Sequence, residues 1–289
     1  MNRTIKFFAT IVFTVFVFQI AKAEMKFKVT LTVNDEFSSA VWRNQPALFT
    51  VSVSNPQAAY DLQWNAKAET YLNELRTQLD SGKITAKYFG EERKRIESLQ
   101  RKIEPFVIGN EVRGWFSEIK FRASLNGNEI SLPVHLLGKP KMISAMMNEN
   151  SYYSVQFGIS PAEMEKIIPG NYEIDAELSG NRSEKIQLQV NALKATDEWW
   201  MKEENIAQFV QYFLADKNAA KVAEYAEKIL LLNPASVLGL TMKGEALILD
   251  SKYKEALRQF ENALKETDKN PAFEPPVYIH TRIEFLKDK

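Results

Sequence analysis

The spacing of apolar residues changes near residue 195, and this change limits the folds that the chain can adopt. Before it, apolar and polar residues alternate in short runs, beginning with Phe27 and Val29, and this is the period of a strand with one buried face. After it, apolar residues recur every three or four positions, as at Ile206 and Val210, and this is the period of a helix. We therefore predict a multidomain α+β protein.

Seven alternating runs lie within residues 24–194, which we predict to form the first domain. The pair Asn126-Gly127 between two of them suits a type I′ hairpin turn, because both of its positions need a positive φ. Alternation with turn signals favours an antiparallel β-sandwich over buried parallel strands. The runs are Phe27–Val33, Phe49–Val53, Ile119–Leu125, Ile130–Leu136, Tyr153–Ile159, Tyr172–Leu178 and Ile186–Val190.

The segment Ile168-Pro169-Gly170-Asn171-Tyr172 resembles the proline-glycine turn and tyrosine that open a late strand in bacterial immunoglobulin-like and fibronectin type III-like modules. The resemblance is one of architecture and covers residues 25–193. It implies an immunoglobulin-like sandwich without the paired cysteines of antibody domains, because the chain has no cysteine.

Residues 56–107 interrupt the alternating runs and read as an inserted helical hairpin. Its first helix ends at Asp80-Ser81-Gly82, and Thr85 is placed to cap the second. The apolar stripes either pack on each other and on the sandwich, or belong to an exposed arm that pairs with another chain. They comprise Tyr60, Trp64, Ala68, Tyr71, Leu72, Leu75 and Leu79, then Tyr88, Phe89, Ile96, Leu99 and Ile103.

The turn of this hairpin, Leu79–Thr85 followed by Tyr88-Phe89, is similar to the helix-turn-helix of SHOCT-type short domains. That family is associated with oligomerisation, so the resemblance implies a hairpin that contacts another protein chain.

Residues 195–289 repeat themselves at a shift of 34 positions, which places Ile206 on Leu240 and Val222 on Ala256. A helix pair with this period resembles the tetratricopeptide repeat, TPR. The second unit carries the signature residues of that family, whereas the first keeps little more than Pro234. The two ends of a pair of repeats must be covered. We therefore expect the segment after Pro275-Pro276 to cap one end and Trp199-Trp200 to pack the other end against the sandwich. The signature residues are Gly244, Tyr253, Ala256, Phe260 and Ala263.

The resemblance to TPR proteins implies that the first helix of each pair lines a concave groove that binds a peptide. Alternatively, the C-terminal segment of the chain fills this groove. The partner-binding residues that the resemblance implies are Ala207, Gln211, Leu214, Thr241, Glu245 and Ile248.

The composition offers no catalytic, cofactor or metal set. Lys+Arg and Asp+Glu both number 37, so the chain lacks the excess positive charge of a nucleic-acid binder. With no cysteine and two histidines, a thiol nucleophile and a cysteine zinc site are excluded. We expect His135 to face solvent on a strand, and the pair Asp35-Glu36 supplies too few oxygens for calcium. The expectation is a non-enzymatic protein without a cofactor.

Residues 1–23 have the order of a signal peptide. Arg3 and Lys6 precede an apolar run, Phe7–Phe18, and Ala21-Lys22-Ala23 forms a small-x-small cleavage site. The run is shorter than the roughly 20 apolar residues of a membrane span, which favours cleavage over an uncleaved anchor. We therefore expect an exported protein, periplasmic or extracellular, without an integral membrane span after cleavage.

Together these features predict an exported protein-binding scaffold or adaptor that holds a protein partner through the TPR-like groove, the helical hairpin or both. One alternative is a cell-envelope accessory subunit whose β-sandwich binds polysaccharide. A further alternative, an enzyme with an unrecognised carboxylate site, requires a deep cleft lined by acids.

Overall fold

The computed structural model describes residues 27–99, 106–108, 114–138, 140, 145–147, 152–192, 202–269 and 277–289. Within them the chain divides into two compact units. One takes in Val53–Ile108 and Ala145–Tyr152, and the other takes in Val29–Ser52, Gly109–Ser144 and Tyr153–Lys289. The predicted signal peptide, the domain boundary near residue 195 and the Trp199-Trp200 pair lie outside the described residues.

The first unit contains the predicted helical hairpin, formed by α1 (Pro56–Asp80) and α2 (Ala86–Leu99). Its turn has the predicted chemistry, because Gly82 has a φ of 70° and the hydroxyl of Thr85 accepts a hydrogen bond from the Tyr88 N–H at 3.2 Å. The unit also holds an unpredicted pair of short antiparallel strands, β4 (Phe106–Ile108) and β8 (Ala145–Met147).

Two larger sheets form the β-rich part of the chain. The first has the strand order β1 (Lys28–Val33), β3 (Ala47–Ser54), β9 (Tyr152–Ile159), β7 (His135–Leu136). The second has the order β2 (Ser38–Trp42), β12 (Ile186–Asn191), β10 (Gly170–Leu178), β5 (Lys120–Leu125), β6 (Asn128–Ile130), and the short β11 (Asn181–Arg182) pairs with β10.

Aromatic side chains join the two sheets. The ring of Phe121 on β5 lies 5.8 Å from that of Phe49 on β3 and 5.0 Å from that of Phe157 on β9. Alternate residues of β10 and β12 are buried, as expected for strands with one face in a core. The predicted α+β class is therefore present in its coarse form, with two facing β layers.

Two details of the predicted sandwich are wrong. The fully antiparallel arrangement fails because β2 pairs with β12 in parallel. The predicted return strand Ile130–Leu136 is two strands in different sheets, β6 beside β5 and β7 beside β9. Pro133 lies between them, and a proline cannot donate the backbone hydrogen bond that an uninterrupted central strand needs. The Asn126-Gly127 turn is confirmed, with φ values of 53° and 79°.

After the short helix α3 (Pro161–Met164), which lies between β9 and β10, five helices follow in the described part of the chain, and the first four repeat the predicted period. The starts of α4 (Glu203–Ala215) and α6 (Val237–Leu249) lie 34 residues apart, and so do the starts of α5 (Ala219–Leu232) and α7 (Tyr253–Asp268). Each of the four helices packs against the next one. Gly244 permits this approach, because a Cβ there would lie 2.6 Å from the ring of Phe260.

The last helix, α8 (Val277–Lys287), packs against α7. Ile279, Ile283 and Leu286 join the core that contains Phe260, so the expected cap after Pro275-Pro276 forms. Val277 lies outside this core, being 81% exposed. None of the described helices has both the length and the apolar character that a membrane span requires.

Within the second unit, α4 contacts the first sheet. Tyr212 and Ala215 of α4 share an apolar cluster with Leu48 and Leu137. Gly158 on β9 makes the contact possible, because a Cβ at this position would lie 2.5 Å from the Tyr212 ring. The sheets and the repeated helices are therefore packed together rather than linked loosely.

Candidate functional site

The six predicted partner-binding residues do not form one open face. Ala207, Gln211 and Leu214 lie on α4, where Gln211 is exposed and the other two are half-buried. On α6, Thr241 and Glu245 are buried, with exposed fractions of 6% and 4%, and Ile248 is half-buried. The part of the groove on α6 is therefore largely closed.

The C-terminal helix closes it. The Arg282 guanidinium on α8 binds the Glu245 carboxylate through two contacts, of 2.7 Å and 3.2 Å, and the Tyr278 hydroxyl donates to the same carboxylate. Burial, together with the hydrogen bond to Glu245, raises the pKa of Tyr278 to about 12. The C-terminal helix therefore lies over Glu245 and covers this part of the predicted groove.

A cleft remains open beside this contact. We call it the polar cleft, and its volume is about 280 Å³. It brings together three of the predicted residues, Gln211, Leu214 and Glu245, and adds residues from the sheet region that the sequence did not indicate. Its lining residues are Asp35, Leu48, Gln156, Gln211, Leu214, Ala215, Lys217, Glu245 and Arg282.

His135 is exposed, as predicted, but its ring has two specific neighbours. Its Nε2 lies 3.0 Å from the Tyr212 hydroxyl, and its Nδ1 lies 3.5 Å from the Glu163 carboxylate. Burial raises the pKa of Tyr212. Partial burial acts to raise the pKa of Glu163, but hydrogen bonds from Ser160 and the nearby His135 outweigh it, so this pKa is lowered. The three side chains tie the sheets to α4.

The helical hairpin carries a second groove, which we call the hairpin groove, with a volume of about 220 Å³. Ala68 and Ile96 are buried, whereas Trp64 and Tyr71 are 38% and 37% exposed. The sequence predicted this stripe and left open whether it packs within the chain or belongs to an exposed arm. The groove is lined by Trp64, Lys67, Ala68, Tyr71, Arg95, Ile96 and Leu99.

Hydrogen bonds fix the shape of the hairpin groove. The Trp64 Nε1–H donates to the carbonyl oxygen of Leu99 at 3.2 Å, which joins the two helices. Partial desolvation and the neighbouring Tyr88 raise the pKa of Tyr71. Of the two cations at the rim, Arg95 binds Glu92 at 2.8 Å, whereas Lys67 has no ion pair with any described residue.

A third surface lies on the second sheet, on the outward side chains of β2, β10 and β12. Gln187 lies beside Ser38, and Gln189 lies between Ala40 and Asn171. With Glu36 they line a shallow depression of about 430 Å³ that is mainly polar, and the neighbouring Phe37 is exposed.

Across the described ranges, no group of three or more His, Asp or Glu side chains is arranged to hold a metal ion. No protein-family model matches the chain, and no curated protein matches it.

Proposed function

We propose that the protein is an exported, non-enzymatic scaffold that holds a protein partner, and that the hairpin groove is its main contact. The observation that carries this proposal is the exposure of Trp64 and Tyr71 beside the buried floor of the groove. Tryptophan, tyrosine and arginine supply most of the binding energy in protein interfaces, and the hairpin groove contains all three.

The shape and charge of the groove favour one kind of partner. A groove between two helices accepts the apolar face of a third helix, with a large side chain seated on the buried floor beside Trp64 and Tyr71. Lys67 stands at the rim without an ion pair to any described residue, whereas Arg95 is bound to Glu92, so an acidic residue beside that apolar anchor is complementary to Lys67. The partner segment is therefore an acidic amphipathic helix.

Other features support a scaffold of this class. The 34-residue spacing of helix starts is the period of TPR repeats, and the two facing β layers are compatible with an immunoglobulin-like sandwich. The leader at residues 1–23 supports export. In this proposal the sheets and the repeats form the body of the scaffold, and the hairpin supplies the contact.

Photo-cross-linking in the native envelope tests the proposal. A benzophenone amino acid at position 63, which is exposed next to Trp64 but does not line the groove, should cross-link one protein, and the cross-linked peptide should be an acidic amphipathic segment. Trp64→Ala should weaken binding of that protein by about 2 kcal/mol or more, as expected for a central aromatic anchor. Leu231→Ala is the matched control, because Leu231 is 82% exposed on α5 and does not line the groove.

Lys67→Glu should also weaken binding, by repulsion of the acidic partner. Cross-links scattered over many unrelated proteins, or a Trp64→Ala variant that binds as tightly as the original chain, would contradict the proposal.

A second candidate function, polysaccharide binding by the sandwich, is favoured by the depression on the second sheet. Planar amides such as Gln187 and Gln189 both donate and accept hydrogen bonds, as sugar hydroxyls require, and the exposed Phe37 offers a face for stacking. Retention on immobilised envelope glycan, lost in Gln187→Ala and without any recovered protein, would favour this function over the first.

A further inference from the structure

The polar cleft has two charged groups that no described residue neutralises. Within the described part of the chain, neither Asp35 nor Lys217 forms an ion pair. The other two charges of the cleft, Glu245 and Arg282, neutralise each other at 2.7 Å. The cleft therefore offers one free anion and one free cation to a ligand.

Asp35 is held in position by its turn. Asn34 and Asp35 both have positive φ values, 49° and 65°, and Val33 and Glu36 on either side exchange backbone hydrogen bonds of 2.8 Å and 3.0 Å. The side-chain amide of Asn34 accepts from the Leu48 N–H and donates to the Ser39 hydroxyl. The carboxylate is therefore carried on a tight turn that is fastened to the sheet.

Lys217 is held in a similar way at the end of α4. The Asn218 N–H donates to the carbonyl of Phe213 and the Lys217 N–H to that of Leu214, which is the Schellman arrangement. This arrangement places Lys217 in the left-handed region, with φ of 61°, where glycine is the common residue. In the following repeat Ser251, 34 positions later, occupies the same place. The lysine is thus a feature of the first repeat alone.

We infer that the polar cleft binds a short peptide segment that carries a cationic and an anionic side chain next to each other. The cation pairs with Asp35 and the anion with Lys217, while the amides of Gln156 and Gln211 bind the peptide backbone between them. A volume of about 280 Å³ admits one or two side chains. The cleft and the hairpin groove share no residue, so this site is independent of the proposed main contact.

Titration with blocked dipeptides tests the inference. The purified chain is titrated with N-acetyl-lysyl-aspartyl-amide and its reversed sequence, and with the dilysyl, diaspartyl and dialanyl analogues. Binding is measured by calorimetry and by the backbone amide shifts of Gln156 and Gln211. At least one mixed-charge dipeptide should bind about tenfold more tightly than the other three, and 0.5 M salt should weaken this binding severalfold.

Asp35→Asn and Lys217→Gln should each reduce the affinity about five- to tenfold, since each removes one charge-assisted hydrogen bond. Both replacements suit the left-handed backbone about as well as the original residues. The midpoint of thermal unfolding of each variant shows whether it folds. Glu184→Gln and Lys254→Gln remove exposed charges outside the cleft and should change nothing.

Equal binding of mixed and single-sign dipeptides would overturn the inference, as would wild-type affinity in both cleft variants. The dipeptide comparison and the salt dependence use the unaltered chain, so they decide the matter even if a variant fails to fold. Failure here would leave the hairpin cross-linking result untouched, because the two experiments probe different residues.

Discussion

At the scale of single residues, Gly158 shows how closely the helices meet the sheet. A Cβ at this position would lie 2.5 Å from the Tyr212 ring, 2.9 Å from Leu137 and 3.0 Å from the Ala47 carbonyl. These three neighbours cannot all move to make room for a methyl group, because one of them is a backbone carbonyl. Gly158 is therefore set by packing rather than by a turn.

We expect Gly158→Ala to lower the free energy of unfolding by about 1–3 kcal/mol, as overpacking does. Gly90→Ala on α2 is the control, because a Cβ there meets nothing within 4 Å and alanine favours a helix, so this change should be neutral or stabilising. Urea unfolding of both variants measures the difference. Equal stability of the two would mean that α4 is not seated on the sheet as described.

Glu163 makes the stability of the folded protein depend on pH. Its pKa is lowered in the folded protein, so the unfolded chain binds a proton more readily. The carboxylate therefore contributes stability above its ordinary pKa of about 4.3, and this contribution is lost as the pH falls through the lower folded pKa.

Glu163→Gln should remove this part of the acid sensitivity and leave a shallower fall in stability below about pH 4.3. Thermal melting from pH 3 to 7 measures it, with Glu184→Gln as an exposed control. An unchanged acid profile in Glu163→Gln would show that the contact with His135 and Ser160 does not favour the charged form.

At the scale of helices and strands, the caps explain why the repeats begin where they do. The Ser236 hydroxyl accepts from the Gly239 N–H at 3.0 Å at the start of α6 and donates to Glu203 on α4 at 2.7 Å. Ser236 is buried, so both groups lose a partner if the hydroxyl is removed. The same atom caps one helix and joins it to another.

Ser236→Ala should cost about 1–2 kcal/mol of stability, from the lost cap and the unpaired buried groups. Asn218→Ala removes the cap of α5 at a more exposed position and should cost less. Chemical denaturation compares the two, and a larger loss for Asn218→Ala would refute the role given to the buried hydroxyl.

Patterns that depend on local chemistry could be predicted from the sequence, and those that depend on distant partners could not. The hairpin turns at Gly82 and Asn126 follow from backbone preference, and the helix starts follow from the repeat. The strand β2 was missed because Ser38–Trp42 shows no clear alternation, and its partner β12 is supplied from far along the chain.

The residues of the candidate site also divide into those that the sequence indicated and those that it did not. Gln211, Leu214 and Glu245, three of the six residues that the TPR resemblance implied for a groove, line the polar cleft, whereas the other three do not. Asp35 was considered only as a calcium ligand with Glu36, and Lys217 escaped prediction because a helix end carries no periodic signal. The closure over Glu245 depends on Tyr278 and Arg282 from the last helix, and a single sequence does not show which polar residues meet across such a distance.

At the scale of the whole molecule, the parallel pairing of β2 with β12 joins strands near opposite ends of the β-rich region. Such a contact closes a long loop, so it forms late and slows folding. When only the first strands have left the ribosome, β2 has no neighbouring strand to pair with in its sheet. The second sheet can therefore be completed only after almost two thirds of the polypeptide has emerged.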